Sequence, residues 1–203
     1  MTSGGPWLVG NDVVDLREPH NATVVDRPRF LARICDPDER ARVHGAAQPV
    51  TALWALFAAK EAAYKIVAKL RPGTIFAHRA FQVAADQRSV AHEDLDLHLW
   101  VEADGDRVHA IASSHRERPE AVVVAVEASV DLGIAARCAL TTLLAGRLGV
   151  DERALAVVRP PRPGSWDGFG PPSITCRGQP LDVDVSLSHD GRFVAAVAAL
   201  SLV

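Results

Sequence analysis

Two carboxylate residues near the start of the sequence have the type and position to bind a divalent metal ion. Asp12 follows an apolar stretch, and Asp15 comes three positions later. A carboxylate at the end of a strand can point into a cleft and bind Mg2+, which prefers oxygen ligands and keeps several waters. The alternative is a simple turn, because the Gly-Asn-Asp sequence at 10–12 is typical of turns. Taken alone, the short motif favours the turn.

A second acidic residue lies on an alanine-rich segment. Residues 51–70 predict a helix, on which Glu61 and Lys65 stand one turn apart on the same face. On a solvated face the two would form an ordinary ion pair, which contributes only about 0.2–0.5 kcal/mol. Trp54, Phe57 and several alanines make this helix apolar and therefore buried, and buried charges need partners. A site for a metal ion and a phosphate would supply such partners.

A serine and a histidine near the end of the sequence could bind a phosphate. Ser188 and His189 lie between two apolar strands, where a hydroxyl, an imidazole and backbone N–H groups suit an anion. The alternative is a hairpin corner with a structural histidine. Ser114 and His115 precede another apolar strand in the same way. This echo suggests two related lobes.

Other classes of site are excluded by the sequence. It contains no glycine-rich phosphate loop followed by lysine, no GxSxG motif and no HExxH motif. A net charge of -3 argues against a basic nucleic-acid-binding protein. The three cysteines form no CxxC pair, which predicts free thiols in a reducing cytoplasm. We expect no secretory signal and no membrane-spanning segment.

The elements that must position these residues follow from local patterns. Thr51 is the expected N-cap of the 51–70 helix, residues 71–73 (Arg-Pro-Gly) end it, and a second helix over 134–148 ends at Gly149. Strands are predicted over 7–16, 75–84, 95–102, 107–113, 121–126, 173–176, 184–189 and 193–202. A second lobe is predicted to begin at Asp131. The pattern indicates an α+β fold.

Three segments together resemble the 4'-phosphopantetheinyl transferase superfamily. Residues 10–16 (GNDVVDL) are similar to its first metal motif, residues 54–65 (WALFAAKEAAYK) to its W/F-x-x-K-E-A-x-x-K helix, and residues 186–191 (SLSHDG) to its Ser-His coenzyme A motif. Residues 30–39 resemble the segment before that helix. Members of the family use Mg2+ to move the phosphopantetheine arm of coenzyme A to a carrier-protein serine, releasing 3',5'-ADP.

The resemblance also implies an architecture. Short members of the family form trimers, whereas long members are two fused lobes, and this chain has the length of the long type. We therefore expect a monomeric pseudodimer of two similar α+β lobes, each a small antiparallel sheet packed against a long helix. Residues 1–130 would be the metal-binding lobe and residues 131–203 the coenzyme A-binding lobe, which reverses the usual order of the long type. The copy at Ser114 and His115 would then be structural.

The resemblance assigns a role to each candidate residue. Asp12 and Glu61 would bind Mg2+. Lys65 would neutralise a phosphate oxygen, and Glu61, directly or through a water, would take the proton of the attacking serine. Ser188 and His189 would hold the phosphates of coenzyme A.

Two positions depart from the pattern of the long members. Val14 stands where they usually have an acidic residue, so the metal set is expected to be that of the short type. Gln179 stands where they tend to have lysine in a Gly-Lys-Pro sequence. The missing cation would come from Arg177, Arg159 or Arg137, and Arg177 is the residue that we assign.

The partner of such an enzyme is an apo acyl or peptidyl carrier protein, which is acidic around its serine. Arg27, Arg29 and Arg33 could form a matching basic patch, and the alternative is an ordinary solvated segment. Two other functions stay open. One is a relative that binds coenzyme A or a carrier protein without transfer, since Val14 and Gln179 depart from the pattern. The other is an unrelated α+β domain.

Overall fold

The computed structural model describes residues 5–22, 24–163 and 168–200. The fold is α+β, as the sequence predicts. The strands are β1 (Val9–Asp15), β2 (Gln82–Val83), β3 (Ser89–His92), β4 (Leu95–Ala103), β5 (Arg107–Ser113), β6 (Glu120–Ala125), β7 (Leu155–Val158), β8 (Ser173–Cys176), β9 (Gln179–Pro180), β10 (Val185–Asp190) and β11 (Phe193–Ala198). The helices are α1 (Pro19–Ala22), α2 (Pro28–Ile34), α3 (Pro37–Gly45), α4 (Pro49–Leu70) and α5 (Leu132–Leu148).

The strands of the described residues form three antiparallel sheets. Their orders are β1-β5-β4-β3-β2, β10-β11-β6 and β7-β8-β9. Helix α4 packs on β1 and β5 of the first sheet, and α5 packs on β11 and its neighbours in the second. No helix in the described parts of the chain combines the length and the hydropathy needed to cross a membrane.

The alanine-rich helix is confirmed, but it begins earlier than the sequence predicts. Helix α4 starts at Pro49, with Gln48 as the N-cap, so the expectation that Thr51 caps the helix is wrong. Proline suits the first helical position because its fixed φ is already helical and its missing N–H needs no partner there. Helix α4 ends at Leu70, just before Pro72, as expected.

Strand β1 runs straight through the segment that could have been a turn. Asp12 pairs with Ala110 in the middle of the strand, so the turn interpretation is wrong. Gly10 makes this possible, because a Cβ atom at this position would overlap the backbone carbonyl of Ala62 on α4. The helix therefore lies directly on β1, and the turn that carries Glu61 is brought next to the strand.

A buried ion pair fixes the other face of α4. Lys60 has no exposed surface, and its Nζ donates to Glu39 Oε2 at 2.6 Å and to the carbonyl oxygen of Ile34 at 2.9 Å. Glu39 also accepts from the backbone N–H of Asp36 in a capping box that starts α3. The lysine next to Glu61 thus serves packing, while Glu61 is on another side of the helix.

The second sheet draws on both halves of the chain. Strand β6 pairs with β11 along its whole length, although it precedes Asp131. The Asp131 side chain caps α5, and Gly149 ends it in the left-handed conformation, as predicted. The division of the chain at residue 131 stays a prediction.

Two of the predicted strands are shorter in the structure. The strand predicted over 75–84 is wrong except for β2, because Phe76 and Phe81 instead pack their rings on Tyr64 of α4, with ring centroids 4.7 and 6.2 Å away. The strand predicted over 193–202 is present as β11, and its residues 201 and 202 lie outside the described part of the chain.

We expect Gly10→Ala to destabilise the protein by about 1–3 kcal/mol or more, because the new methyl group forces α4 away from β1. Urea unfolding would measure the loss. Gly45→Ala is the matched control, since a Cβ atom there meets nothing within 4 Å. Equal stabilities of the two variants would show that the packing of α4 on β1 does not depend on the absence of a side chain at Gly10.

Candidate active site

A cleft of about 900 Å3 is lined by four of the six candidate residues, whereas Glu61 and Arg177 are not among the described residues of its lining. It is bounded by β1, the C-terminal half of α4, the first turns of α5, residues of 159–163 and 169–172, and β10. Asp12, Lys65, Ser188 and His189 all line it, although 176 positions separate Asp12 from Ser188 (188 − 12). Two short motifs from opposite ends of the chain therefore face one space.

Side chains of β10 and of the residue just before it cap the free edge of β1. The backbone N–H of Val9 donates to Asp184 Oδ2 at 2.7 Å, and that of Asn11 donates to Ser186 Oγ at 3.1 Å. Strand β1 is an edge strand, so these N–H groups have no strand partner. The alternating side chains of β10 replace a neighbouring strand and hold the two sheets edge to edge.

Two lysines of α4 cap the carbonyl groups of the same edge. Lys69 Nζ donates to the carbonyl oxygen of Val9 at 2.6 Å, and Lys65 Nζ donates to that of Asn11 at 2.6 Å. Lys69 also contacts Asp184 Oδ2 at 2.7 Å. Burial lowers the pKa of Lys69, and the Asp184 carboxylate opposes that effect. Helix, strand and β10 are thereby joined at one place.

The far end of β1 is closed by a bidentate ion pair. The Arg192 guanidinium donates to both carboxylate oxygens of Asp15 at 2.8 and 2.7 Å. These hydrogen bonds lower the pKa of Asp15 to about 2. Asp190 accepts from the backbone N–H of Asp15 at 2.8 Å. Gly191 permits the close approach, since its φ is +50° and a Cβ atom there would lie 2.6 Å from Asp15 Oδ2.

Asp12 and Glu61 form an acidic pair in a desolvated setting. Burial, together with the charges of Glu61 and Asp190, raises the pKa of Asp12 to about 7 against the opposing effect of Lys65. Burial also raises the pKa of Glu61. Lys65 Nζ lies 3.3 Å from Asp12 Oδ1. One ammonium group thus faces two carboxylates, so the pair favours an additional cation.

The donor set fits a magnesium ion better than a zinc ion. Within the described residues, no three His, Cys, Asp or Glu side chains are grouped closely enough to hold a metal. Zn2+ usually takes at least three protein ligands, whereas Mg2+ is usually held by one or two carboxylates together with waters and substrate phosphates. Asp12 and Glu61 supply those two carboxylates.

Ser188 and His189 lie inside β10 rather than at a corner, since the turn to β11 comes after Asp190. Ser188 is 6% exposed, and its hydroxyl accepts from Asn11 Nδ2 at 2.9 Å. His189 is exposed at the cleft. A hydroxyl and an imidazole from consecutive positions of one strand therefore both belong to the lining of this space.

The cations of the cleft are not those that the sequence first suggests. Arg137 and Arg159, the alternatives to Arg177, both line the cleft, and so does Arg162, which sequence reasoning missed. Arg177 lies in the turn between β8 and β9 with φ +51°, and it is not among the described residues that line the cleft. The turn at residues 177–178 sets the position of Arg177. No local sequence pattern reveals that Arg177 lies outside the described cleft lining.

The second Ser-His pair makes other contacts. Ser114 Oγ accepts from the backbone N–H of Leu8 at 2.9 Å, and donates to the carbonyl oxygen of Pro6 at 3.1 Å. The His115 ring stacks on Trp7 with 5.6 Å between centroids. Neither residue is among the described residues of the cleft lining. These contacts support the structural role expected for this copy.

The three arginines near α2 are exposed. Arg27 is the N-cap of α2, and Arg29 and Arg33 are one turn apart on that helix. Arg33 also lies over the Phe30 ring, 5.5 Å from its centroid. The segment therefore presents positive charge to solvent.

Sequence reasoning missed several residues that position the site. Lys69 could have been found, because it lies four residues after Lys65 on the same face of a helix. Asp184 and Asn11 carry no such signal, since their partners are 175 to 177 residues away along the chain.

Comparison with known families gives one finding. A family model described as the 4'-phosphopantetheinyl transferase superfamily matches residues 8–122, which is more than half of the 203-residue chain. The matched segment contains both β1 and α4. Comparison with individually curated proteins gave no match.

We expect Asp15→Asn to lower the free energy of unfolding by about 2 kcal/mol at pH 7, because the folded-state pKa of about 2 lies below the ordinary 3.8. This contribution is fully present above about pH 4 and is lost as the pH falls toward 2. Urea unfolding of wild type and variant across that range would measure it. The exposed Asp38→Asn is the control, and a pH-independent difference for Asp15→Asn would contradict the assignment.

Proposed function

The chain belongs to the 4'-phosphopantetheinyl transferase superfamily, and we propose that it moves phosphopantetheine from coenzyme A to a serine of an apo carrier protein, releasing 3',5'-ADP. One observation carries the proposal: Asp12, Lys65, Ser188 and His189 line a single cleft. Acidic and phosphate-binding groups on opposite walls suit a reaction in which a pyrophosphate lies between them.

The phosphates of coenzyme A would bind on the β10 side of the cleft. The Ser188 hydroxyl and the His189 ring supply hydrogen bonds, and Lys65 supplies an ammonium group. Arg137 and Arg159 line the same cleft, so we propose them for the cationic role first assigned to Arg177. Fixed cations around a pyrophosphate stabilise the negative charge that develops on the leaving group.

Asp12 and Glu61 would hold a magnesium ion. Such an ion supplies charge neutralisation for the pyrophosphate and the departing 3',5'-ADP. The protein prepares the site by partly shielding both carboxylates from solvent, which raises the pKa of each, and by placing Lys65 Nζ 3.3 Å from Asp12 Oδ1.

Glu61 would also accept the proton of the attacking serine, directly or through a water. Its raised pKa makes it a stronger base than an ordinary glutamate. In this step the serine oxygen forms a bond to the β-phosphorus, the bond from that phosphorus to 3',5'-ADP breaks, and the serine proton passes to Glu61. The helix holds Glu61 rigidly, because α4 is packed on β1 through Gly10.

We further propose that the molecule is a monomeric pseudodimer with one site between its lobes. Two three-strand units have the same order of connections: β1-β5-β4 under α4, and β6-β11-β10 under α5. In each unit, the first strand pairs with the second strand of a hairpin that comes later in the chain: β1 with β5 of the β4–β5 hairpin, and β6 with β11 of the β10–β11 hairpin. This correspondence supports two similar lobes, although the second unit already begins with β6 at Glu120, before the boundary predicted at residue 131.

The partner would be an acidic carrier protein that docks near α2. Arg27, Arg29 and Arg33 are exposed there, although the whole chain has a net charge of -3. A local basic patch raises the rate of encounter with an acidic surface. The free cysteines Cys35, Cys138 and Cys176 support a cytoplasmic location.

Mass spectrometry of apo carrier proteins tests the activity. With Mg2+ and coenzyme A, the wild type should add an arm of about 340 Da, since one phosphoryl-linked group is transferred. Glu61→Gln should reduce the rate at least 100-fold while the chain stays folded, because the variant lacks the base and a metal ligand. Asp38→Asn, an exposed change on α3, should keep full activity.

The same assay distinguishes a relative that only binds. Such a protein would bind coenzyme A and leave the carrier mass unchanged. Transfer by Glu61→Gln at the wild-type rate would remove this residue from the mechanism.

The basic segment gives a separate prediction. The double variant Arg29→Glu/Arg33→Glu should raise KM for the carrier protein about tenfold and leave KM for coenzyme A unchanged, because it reverses charge only at the docking surface. Steady-state kinetics at low and moderate salt would measure both constants. The exposed double variant Arg116→Glu/Arg153→Glu, outside α2, makes the same change of charge and is the control. Equal KM values for the carrier in both variants would argue against docking at α2.

A further inference from the structure

Asn11 of β1 is hydrogen-bonded on several sides, although the proposed mechanism gives it no role. It has no exposed surface. Its backbone N–H donates to Ser186, and its carbonyl oxygen accepts from Lys65. Its side-chain Nδ2 lies 2.9 Å from Ser188 Oγ and 3.4 Å from His109 Nε2. The residue therefore contacts both walls of the cleft without lining it.

The direction of the amide is set by its two neighbours. His109 on β5 is 2% exposed, and burial lowers its pKa to about 4, so its ring is neutral at pH 7. A neutral imidazole nitrogen without hydrogen accepts, and Ser188 Oγ can accept as well. The Asn11 amide group has two hydrogens, one for each of these acceptors.

One atom of Asn11 is left unsatisfied in this arrangement. Among the described residues, Asn11 Oδ1 is buried and has no hydrogen-bond partner. A buried acceptor without a partner is destabilising, and apolar side chains would fill the position without that cost. The amide hydrogens are therefore the useful part of the side chain.

The hydroxyl of Ser188 gains a fixed direction from this contact. A serine hydroxyl has one hydrogen and two lone pairs. The Asn11 amide fills a lone pair on the buried side, so the hydroxyl hydrogen is left to point into the cleft that Ser188 lines. A phosphate presents acceptor oxygens, and it binds a serine that donates better than one whose hydrogen is turned away.

We infer that Asn11 is a positioning residue that turns the Ser188 hydroxyl into a donor for a phosphate of coenzyme A. The inference rests on the proposed function. It assigns Asn11 to the binding of coenzyme A rather than to the chemistry on the opposite face of β1, where Asp12 lies. Loss of the amide should therefore act on the affinity for the nucleotide part of the substrate more than on kcat.

Asn11→Asp reverses the polarity of the side chain without changing its size. The carboxylate would accept from Ser188 and turn the hydroxyl hydrogen inward. We expect the Kd for coenzyme A, measured by calorimetry, to rise about tenfold, and KM for coenzyme A to rise with it while kcat changes less than threefold. Binding of 3',5'-ADP should weaken by the same factor, because the product retains the 5'-phosphate.

A double-mutant cycle separates hydroxyl orientation from the added charge. In the Ser188→Ala background, Asn11→Asp should weaken coenzyme A binding no further, since there is no hydroxyl to turn. A purely electrostatic effect of the new carboxylate, or a general loss of structure, would persist in that background and would overturn the inference. Asn11→Ser lacks the amide donor and adds no charge, so it gives the same test if the aspartate variant does not fold.

The outcomes also separate this inference from the proposed function. If wild type binds coenzyme A and modifies a carrier protein, but Asn11→Asp has an unchanged Kd, then the carbonyl of Asn11 faces Ser188 and only the inference fails. If wild type neither binds coenzyme A nor transfers the arm, both fail.

Discussion

The site depends on how the free edge of β1 is satisfied. An edge strand presents unpaired backbone groups, which either pair with another strand or need other partners. Here side chains take that place: Asp184, just before β10, and Ser186 of β10 accept from its N–H groups, and Lys65 and Lys69 of α4 donate to its carbonyl groups. Because β1 is bonded on both sides, the sheet of the first half of the chain and the sheet of the second are held in one fixed relation.

This arrangement explains why the acidic residues can lie so close together. Desolvation of the half-buried Asp12, together with the charge of Glu61, raises the pKa of Asp12 to about 7. Lys65 offsets part of the repulsion, and its second hydrogen bond to the carbonyl of Asn11 keeps it in place. A cation bound with the substrate would favour the ionised forms of both carboxyl groups, which the fold by itself disfavours.

The residues that support the site are distinct from the residues that would act in it. Lys60 and Glu39 form a buried pair on another side of α4, and Asp15 and Arg192 close the far end of β1. Each ion pair holds in place an element, α4 or β1, that also supplies residues to the cleft. A reaction that relies on positioning and fixed charge needs such support, since the groups must keep their geometry when the substrate arrives.

The amino-acid sequence determined the local elements and the candidate groups. The alanine-rich composition of 49–70, the Asp36 capping box and Gly149 act through neighbours along the chain, so helices α4, α3 and α5 follow from them. Asp12, Glu61, Lys65, Ser188 and His189 were recognisable for the same reason, as residue types at short spacings.

Only the tertiary structure decided which of these groups meet. The partners of Val9 and Asn11 on β10 are 175 positions away, and contacts across that distance depend on how sheets pack rather than on any repeating pattern. The same reason placed Arg137 and Arg159 at the cleft and Arg177 in a distant turn. The tertiary structure also made Gly10 part of a contact with helix α4 instead of a turn. The helix lies directly on the strand backbone there, because Gly10 has no side chain.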